Sequence, residues 1–495
     1  MITAAKTLLV ALLLSATWAV FNGFIYAADA GRRYRAESAW FIFSAILIVA
    51  ALHAFARGAQ QDATLDATFT RRAWGGEPVS FLVLATALYY PMLSIGLLSD
   101  DFVLISRAQA GVLADPKWEY LRPLPLAIWR ALSALGTTPV ALHALNIGLH
   151  GANAWLTAVL ATRFGFSRRS ALLAAIVFLM LPVSVEAVAW ASGIFDVLLV
   201  TLVLAACVAL TTISEAVPRT ILVVLLTAAA LVTKETAVVL PALLAVAACC
   251  SPHVTMRRAA MPIALSAGVV VLYLSIRAMA GFASAPPSAN LSGYALKEIV
   301  SRPFGTLGLP FHIELVRAHP WIPYGFAAYW PAMLAWSAVR WPDARRDAIQ
   351  ILALAAWIFV SIVPLATMLF ISDDLQGARY LYLGSVAWSI MLVVLLQSFR
   401  ESHRVWVIAP IVILFLVATR AHQSPWAAAA VERDRVLDAY RRSDLSCTPQ
   451  TVVGLPDGVR GAYVFRNGFA EAVAASRPST RSCALEWDGQ GFVER

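Results

Sequence analysis

The chain has 495 residues, 60% hydrophobic and 14% charged, where an ordinary soluble domain carries about 25% charged residues. With a mean hydropathy of +0.73, this excludes a soluble globular enzyme, a disordered chain and a collagen-like repeat, and implies an all-α polytopic membrane protein. The net charge of +9 falls in small basic clusters between apolar runs rather than along one face, so it reads as a topology signal and no nucleic-acid partner is expected.

Apolar runs occur at about 7–28, 39–56, 80–98, 140–162, 170–186, 193–212, 219–233, 236–250, 260–279, 323–339, 348–371, 380–398 and 405–420, or about thirteen helices. The first run ends near Ala28-Asp29-Ala30, which resembles a cleavage site, but it exceeds the usual ~7–15 residues of a signal peptide and is read as an uncleaved anchor. Arg163, Arg168 and Arg169, then Arg257 and Arg258, Arg340, Arg345 and Arg346, and Arg400 and Arg404 recur at every second loop, which assigns those loops to the cytoplasm. Arg32, Arg33 and Arg35 dissent from this pattern if the first two runs both span. Lys234-Glu235 divides two short runs and predicts a helical hairpin with a charged external tip; one bent helix with a buried ion pair is the alternative. After Arg420 the composition turns polar, with turn signals at Pro456-Asp457-Gly458 and Asn467-Gly468, predicting a small external α+β appendage. The chain thus divides into a hairpin and cytoplasmic loop at 1–79, a transmembrane domain at 80–420 and the appendage at 421–495.

The loops assigned to the external side collect the acids near helix ends: Asp100, Asp101, Glu119, Glu186, Asp196, Glu235, Asp373 and Asp374. The same ends supply Arg122, Lys234, Arg277 and Arg379, so the expected cavity pairs carboxylates with cations able to hold a phosphate. Ser99-Asp100-Asp101 reads either as a helix N-cap or as a general base or metal ligand at the membrane surface. Adjacent helical residues point about 100° apart, which predicts different roles for the two carboxylates.

His143, Asn146, His150 and Asn153 lie at i, i+3, i+7 and i+10 and form one polar stripe. The histidines are ~10 Å apart, too far to share a metal ion, and the stripe serves either interhelical hydrogen bonding or a cavity wall. Glu186 among apolar neighbours reads as cavity-lining or capping, and Arg379 with Tyr380 as phosphate-binding or as an interfacial anchor. Cys447 and Cys483, alone in the polar tail on the expected external side, are expected to pair.

In order, Asp100-Asp101-Phe102, Arg122-Pro123-Leu124, His143 through His150, Pro182 with Glu186, Lys234-Glu235-Thr236 and Arg379-Tyr380-Leu381-Tyr382 resemble the tetratricopeptide-linked membrane O-mannosyltransferases and their bacterial relatives, GT-C glycosyltransferases. The resemblance covers about residues 80–400. It implies an inverting transferase that moves a sugar from a polyprenyl-phosphate donor to a protein or glycan acceptor hydroxyl at the external, periplasmic face of a bacterial inner membrane. The family's catalytic acid maps onto Asp100-Asp101, and its donor-phosphate contacts onto Lys234-Glu235 and Arg379-Tyr380. Leu181, Ile194 and Ala378 stand where family members commonly carry histidine, arginine and glutamate, and no tetratricopeptide repeats occur. The residues single out no cofactor; a divalent metal could assist, but no ligand set compels it. A transporter of a lipid-linked or anionic substrate is the main rival, with acids near the bilayer midplane and internal repeats as its signature; a noncatalytic envelope scaffold is the third reading.

Overall fold

The structure, a computed structural model, describes residues 76–114, 120–136, 139–282, 302–322, 325, 329, 344–365, 369–443, 445, 447–476 and 481–494. The expected spans at 7–28 and 39–56, most of that at 323–339, the arginines at 32–35 and Glu119 lie outside these residues. The described chain is predominantly helical. In chain order the helices are α1 (Glu77–Tyr89), α2 (Asp100–Gln109), α3 (Pro123–Ala134), α4 (Pro139–Arg163), α5 (Arg168–Met180), α6 (Val185–Ala189), α7 (Ile194–Thr212), α8 (Ala216–Leu231), α9 (Leu240–Cys250) and α10 (Met256–Met279). After these come α11 (Ile313–Ala318), α12 (Ala344–Ile362), α13 (Tyr382–Leu396) and α14 (Glu401–Arg442).

Among the described residues four helical segments are long and apolar enough to cross a bilayer: Ala191–Thr212, Met256–Met279, Ala378–Leu396 and Glu401–Arg442. Arg168–Met180 with Pro182–Ala189 makes a fifth if counted as one span, bent by 53°. This is fewer than hydropathy alone suggests. Proline at 182 and the turn at 232–234 break apolar runs into shorter helices, and the 16 residues of α8 reach only ~24 Å. The chain is an integral membrane protein. Met261, Leu265, Val271, Leu272 and Leu274 of α10 and Val217, Ile221 and Leu225 of α8 are exposed, an apolar surface that lipid covers without cost.

Polar contacts segregate to opposite ends of this bundle. At one end Arg404 donates to the Ser170 hydroxyl at 2.8 Å, the Ser251 hydroxyl to the Arg163 carbonyl at 2.9 Å, and Arg219 to the Arg258 carbonyl at 3.1 Å. Since Arg219 lies in the first turn of α8 and Ser251 follows α9, α8 starts and α9 finishes at this end, which makes 216–250 a hairpin rather than one bent helix. Its tip meets the other end of the bundle, where Leu124 N–H donates to the Val232 carbonyl at 3.1 Å.

Past residue 420 the last helix does not stop. Charged and alanine-rich sequence keeps good helix formers in register, so α14 runs 42 residues to Arg442 although its hydropathy has fallen. There follow β1 (Thr448–Val453), β2 (Gly458–Val459), β3 (Ala462–Tyr463), α15 (Phe469–Ser476), β4 (Ser482–Trp487) and β5 (Phe492–Glu494). β4 is central, parallel to β1 and antiparallel to β5, while β2 and β3 form a separate ribbon. Cys447 and Cys483 are bonded, with Cα atoms 5.8 Å apart. This region packs on the helical body: Val464 accepts from Ser99 N–H at 2.9 Å, and Phe102 stacks on Phe465 with ring centres 6.2 Å apart.

Candidate functional site

A cavity of ≈ 190 Å³ opens where the hairpin tip, α2, the start of α7 and the start of α13 meet. Its charged lining is Asp100, Arg107, Arg122, Asp196, Lys234, Glu235 and Arg379, and its aromatic wall is Tyr120, Trp190, Phe195 and Tyr380. Four cations against three acids leave the lining close to neutral. An anion would therefore be held by directed hydrogen bonds more than by bulk charge.

The Ser99-Asp100-Asp101 turn places its two acids in different surroundings. Asp101 N–H donates to the Leu98 carbonyl at 3.1 Å, and Ser99 sits between them at φ 49°, ψ −119°, the first central position of a type II′ turn, which a non-glycine residue occupies only under strain. Ser99 makes no side-chain cap. The buried Asp101 takes the structural part. One oxygen accepts from Leu98 N–H at 2.9 Å; the other accepts from Ser192 N–H at 2.8 Å and from the Ser192 hydroxyl. Burial pushes this carboxyl up to about 7, against those hydrogen bonds. Asp100 instead faces the cavity, and Asn467 Nδ2 donates to its Oδ1 at 2.7 Å.

Each expected cation at the cavity has an acidic partner. Arg122 grips Glu235 through two nitrogens, Nε donating to Oε2 at 2.8 Å, and lies over Tyr120 and Phe195. Lys234 Nζ donates to Asp196 Oδ1 at 2.5 Å. Burial lowers the proton affinity of this ammonium, Asp196 opposes that effect, and two of its three protons are left for another acceptor. The 3₁₀ turn at Ala378–Leu381 presents Arg379, and Gly377 enables it: at φ 85° it passes so near Phe370 that a Cβ would fall 1.9 Å from that carbonyl oxygen. Glu186 then holds Arg379 twice, by its backbone N–H at 3.1 Å and by an ion pair with its guanidinium. Trp190 and Tyr380 lie 4.9 Å from the guanidinium carbon and Tyr463 5.6 Å.

Several expected site residues lie elsewhere. Glu186 stands behind the wall as the support of Arg379. Arg277, on α10, is not part of the cavity lining. His143, Asn146 and His150, expected either to line the wall or to bond between helices, are fully buried and absent from the cavity lining. His143 Nε2 donates to the Gly96 carbonyl at 3.0 Å, Asn146 to the carbonyls of Trp190 and Ala191 at 2.8 and 3.1 Å, and His150 pairs with the Tyr382 hydroxyl at 2.8 Å. The stripe thus holds α4 against the segments that carry the site, because carbonyls freed at helix breaks need donors in a dry interior. Trp190 Nε1 continues the chain of contacts to the Leu98 carbonyl at 3.1 Å.

Ser192, Arg107, Tyr463 and Asn467 join the site without a signal in their own stretches of sequence. Among the described residues no group of three or more His, Cys, Asp or Glu could hold a metal ion.

No family model matches the sequence, and no curated protein does. Among solved structures, the crystal structure of ArnT from Cupriavidus metallidurans bound to undecaprenyl phosphate is similar, at 13% identity and a TM-score of 0.49, over 84% of this chain and 93% of that one.

Proposed function

We propose that this chain is a GT-C-type inverting glycosyltransferase that moves a sugar from a polyprenyl-phosphate donor to an acceptor hydroxyl at the external face of the membrane. The observation that carries this reading is that Asp100, a carboxylate turned toward open space, shares one cavity with Arg379, Lys234 and Arg122. Asp100 deprotonates the acceptor hydroxyl as it attacks the anomeric carbon, and the sugar–phosphate bond breaks on the opposite side. The departing polyprenyl phosphate needs charge stabilisation more than a proton, which the fixed cations supply from positions set before substrate arrives. Asp101 holds the turn, and the aromatic wall suits a sugar face. The acceptor belongs to the protein or glycan class, and the periplasmic face of a bacterial inner membrane is the setting this chemistry fits.

The test uses purified protein, a panel of polyprenyl-phosphate sugars and membrane-extracted acceptors, with transfer read by mass spectrometry. Transfer from one donor, lost in Asp100→Asn, supports the reading. Movement of the lipid-linked sugar across vesicles without transfer would replace it with the transporter.

A further inference from the structure

One five-residue stretch of the C-terminal region touches both halves of the site. The buried hydroxyl of Tyr463 accepts from Arg379 Nη1 at 2.9 Å and donates to Glu186 Oε1 at 3.2 Å. Four residues on, Asn467 donates to Asp100 Oδ1 at 2.7 Å. Between them Val464 accepts from Ser99 N–H, and Phe465 stacks on Phe102 of α2. Arg466 lies over the Tyr463 ring at 4.8 Å and pairs with Asp457 at 2.9 Å, which ties the stretch to its own turn. Gly468 closes it. At φ 85°, a Cβ there would lie 2.4 Å from the Ser99 carbonyl oxygen, so only glycine lets the two backbones meet.

We propose that Tyr463–Asn467 is a positioning element that sets Asp100 and Arg379 at a fixed spacing, an inference that rests on reading Asp100 as the base and Arg379 as a phosphate ligand. Neither Tyr463 nor Asn467 lines the cavity, and each acts through the residue it holds. Asn467 occupies one carboxylate oxygen of Asp100 and so turns the other toward the acceptor. Tyr463 bridges Arg379 Nη1 and Glu186 Oε1, and so holds the guanidinium beside the Trp190 ring, 4.9 Å away. The acid and the cation come from segments more than 270 residues apart in sequence, and the stretch is rigid on both sides by the contacts above. Misplacement of a reacting group by ~1 Å costs on the order of 10²-fold in rate, which is the scale such an element controls.

The two residues predict separable defects in the purified full-length protein. Tyr463→Phe keeps the ring and removes the hydroxyl; binding of undecaprenyl phosphate should weaken by about 3–10-fold, and kcat should fall by no more than that factor. Asn467→Ala should lower kcat by about 10–10²-fold and leave undecaprenyl phosphate binding unchanged. On an Asp100→Asn background it should add nothing, because its only route to the rate is through that carboxylate. A purely structural role would move both parameters together with Tm, in these variants and in the milder Asn467→Ser, and that result overturns the proposal, as do wild-type values in both single variants. Full transfer by Asp100→Asn, or no transfer by the wild type from any donor in the panel, brings down the functional reading itself. An inactive Asp100→Asn beside wild-type Tyr463→Phe and Asn467→Ala brings down the positioning element alone.

Discussion

Arg379 and Glu186 lie 193 residues apart in sequence, yet Glu186 holds both the backbone and the guanidinium of its partner while being almost wholly buried itself. A carboxylate so placed is tolerable only with its cation present, since removing one partner of a buried pair costs about 3–5 kcal/mol. On the proposed function the pair therefore serves folding and anion binding together, and a single substitution confounds the two.

A double variant separates them. Arg379→Ala should lose binding of undecaprenyl phosphate and also lower Tm. Adding Glu186→Gln should recover much of the Tm, because no charge is left buried, without recovering binding. Arg379→Lys should keep part of the binding, since an ammonium supplies charge without the planar fork. Lipid-phosphate affinity equal to wild type in all three, by titration of the purified proteins, would leave Arg379 as an anchor.

Asp100→Asn and Asp101→Asn should fail differently. The first keeps size and removes the base, so transfer should fall by roughly 10²–10⁴-fold with Tm unchanged. The second leaves one acceptor oxygen where the turn uses two, so Tm should fall first and activity with it. Full activity in Asp100→Asn, or transfer lost in Asp101→Asn at unchanged Tm, would move the base by one residue.

Because burial raises the Asp101 carboxyl to about 7, from about 3.9 in an unfolded chain, the folded protein retains a proton that the unfolded chain has released. Between about pH 4 and pH 7 the native state binds more protons, so stability falls as pH rises through that window and levels off above it. Thermal unfolding from pH 4 to 8 should show this slope, and Asp101→Asn should flatten it. A wild-type Tm that rises across the window would contradict the assignment.

The Cys447–Cys483 bond closes a separation of 36 residues, which constrains the unfolded chain by about 3–4 kcal/mol in the loop-entropy account. Reduction should loosen β1 from β4 and expose this region to limited proteolysis. It should also weaken transfer, because Tyr463 and Asn467 lie inside the closed loop. Equal proteolysis and transfer with and without reductant would separate the bond from the site.

What the sequence made legible follows from how far a charge stands out in an apolar chain. Lys234-Glu235 marked a hairpin tip, and Asp100 and Arg379 marked one cavity, because ionised groups at helix ends have few other places to go. The histidine stripe announced its periodicity but not its partners, since those are backbone carbonyls at the helix breaks near Gly96 and Trp190. Ser192 reaches Asp101 across 91 residues and Asn467 reaches Asp100 across 367, and contacts of that range leave no local pattern. The tail looked separate for a related reason: hydropathy drops after residue 420, while α14 continues as a helix through Pro425 to Arg442.

The length of α14 also bears on when the proposed spacing can form. At 1.5 Å per residue its 42 residues extend about 63 Å, roughly twice a hydrocarbon core of ~30 Å. Arg433, near its far end, reaches back to the carbonyls of Ile95 and Leu97, just before the Asp100 turn. A growing chain is made from its N-terminus, so Asp100 and then Arg379 are made before Tyr463 and Asn467, which reach back to them. Between the synthesis of Arg379 and that of Tyr463, 84 residues later, the acid and the cation are both present but uncoupled, and on the proposed reading their spacing is fixed only when residues 463–467 fold back onto the helical body.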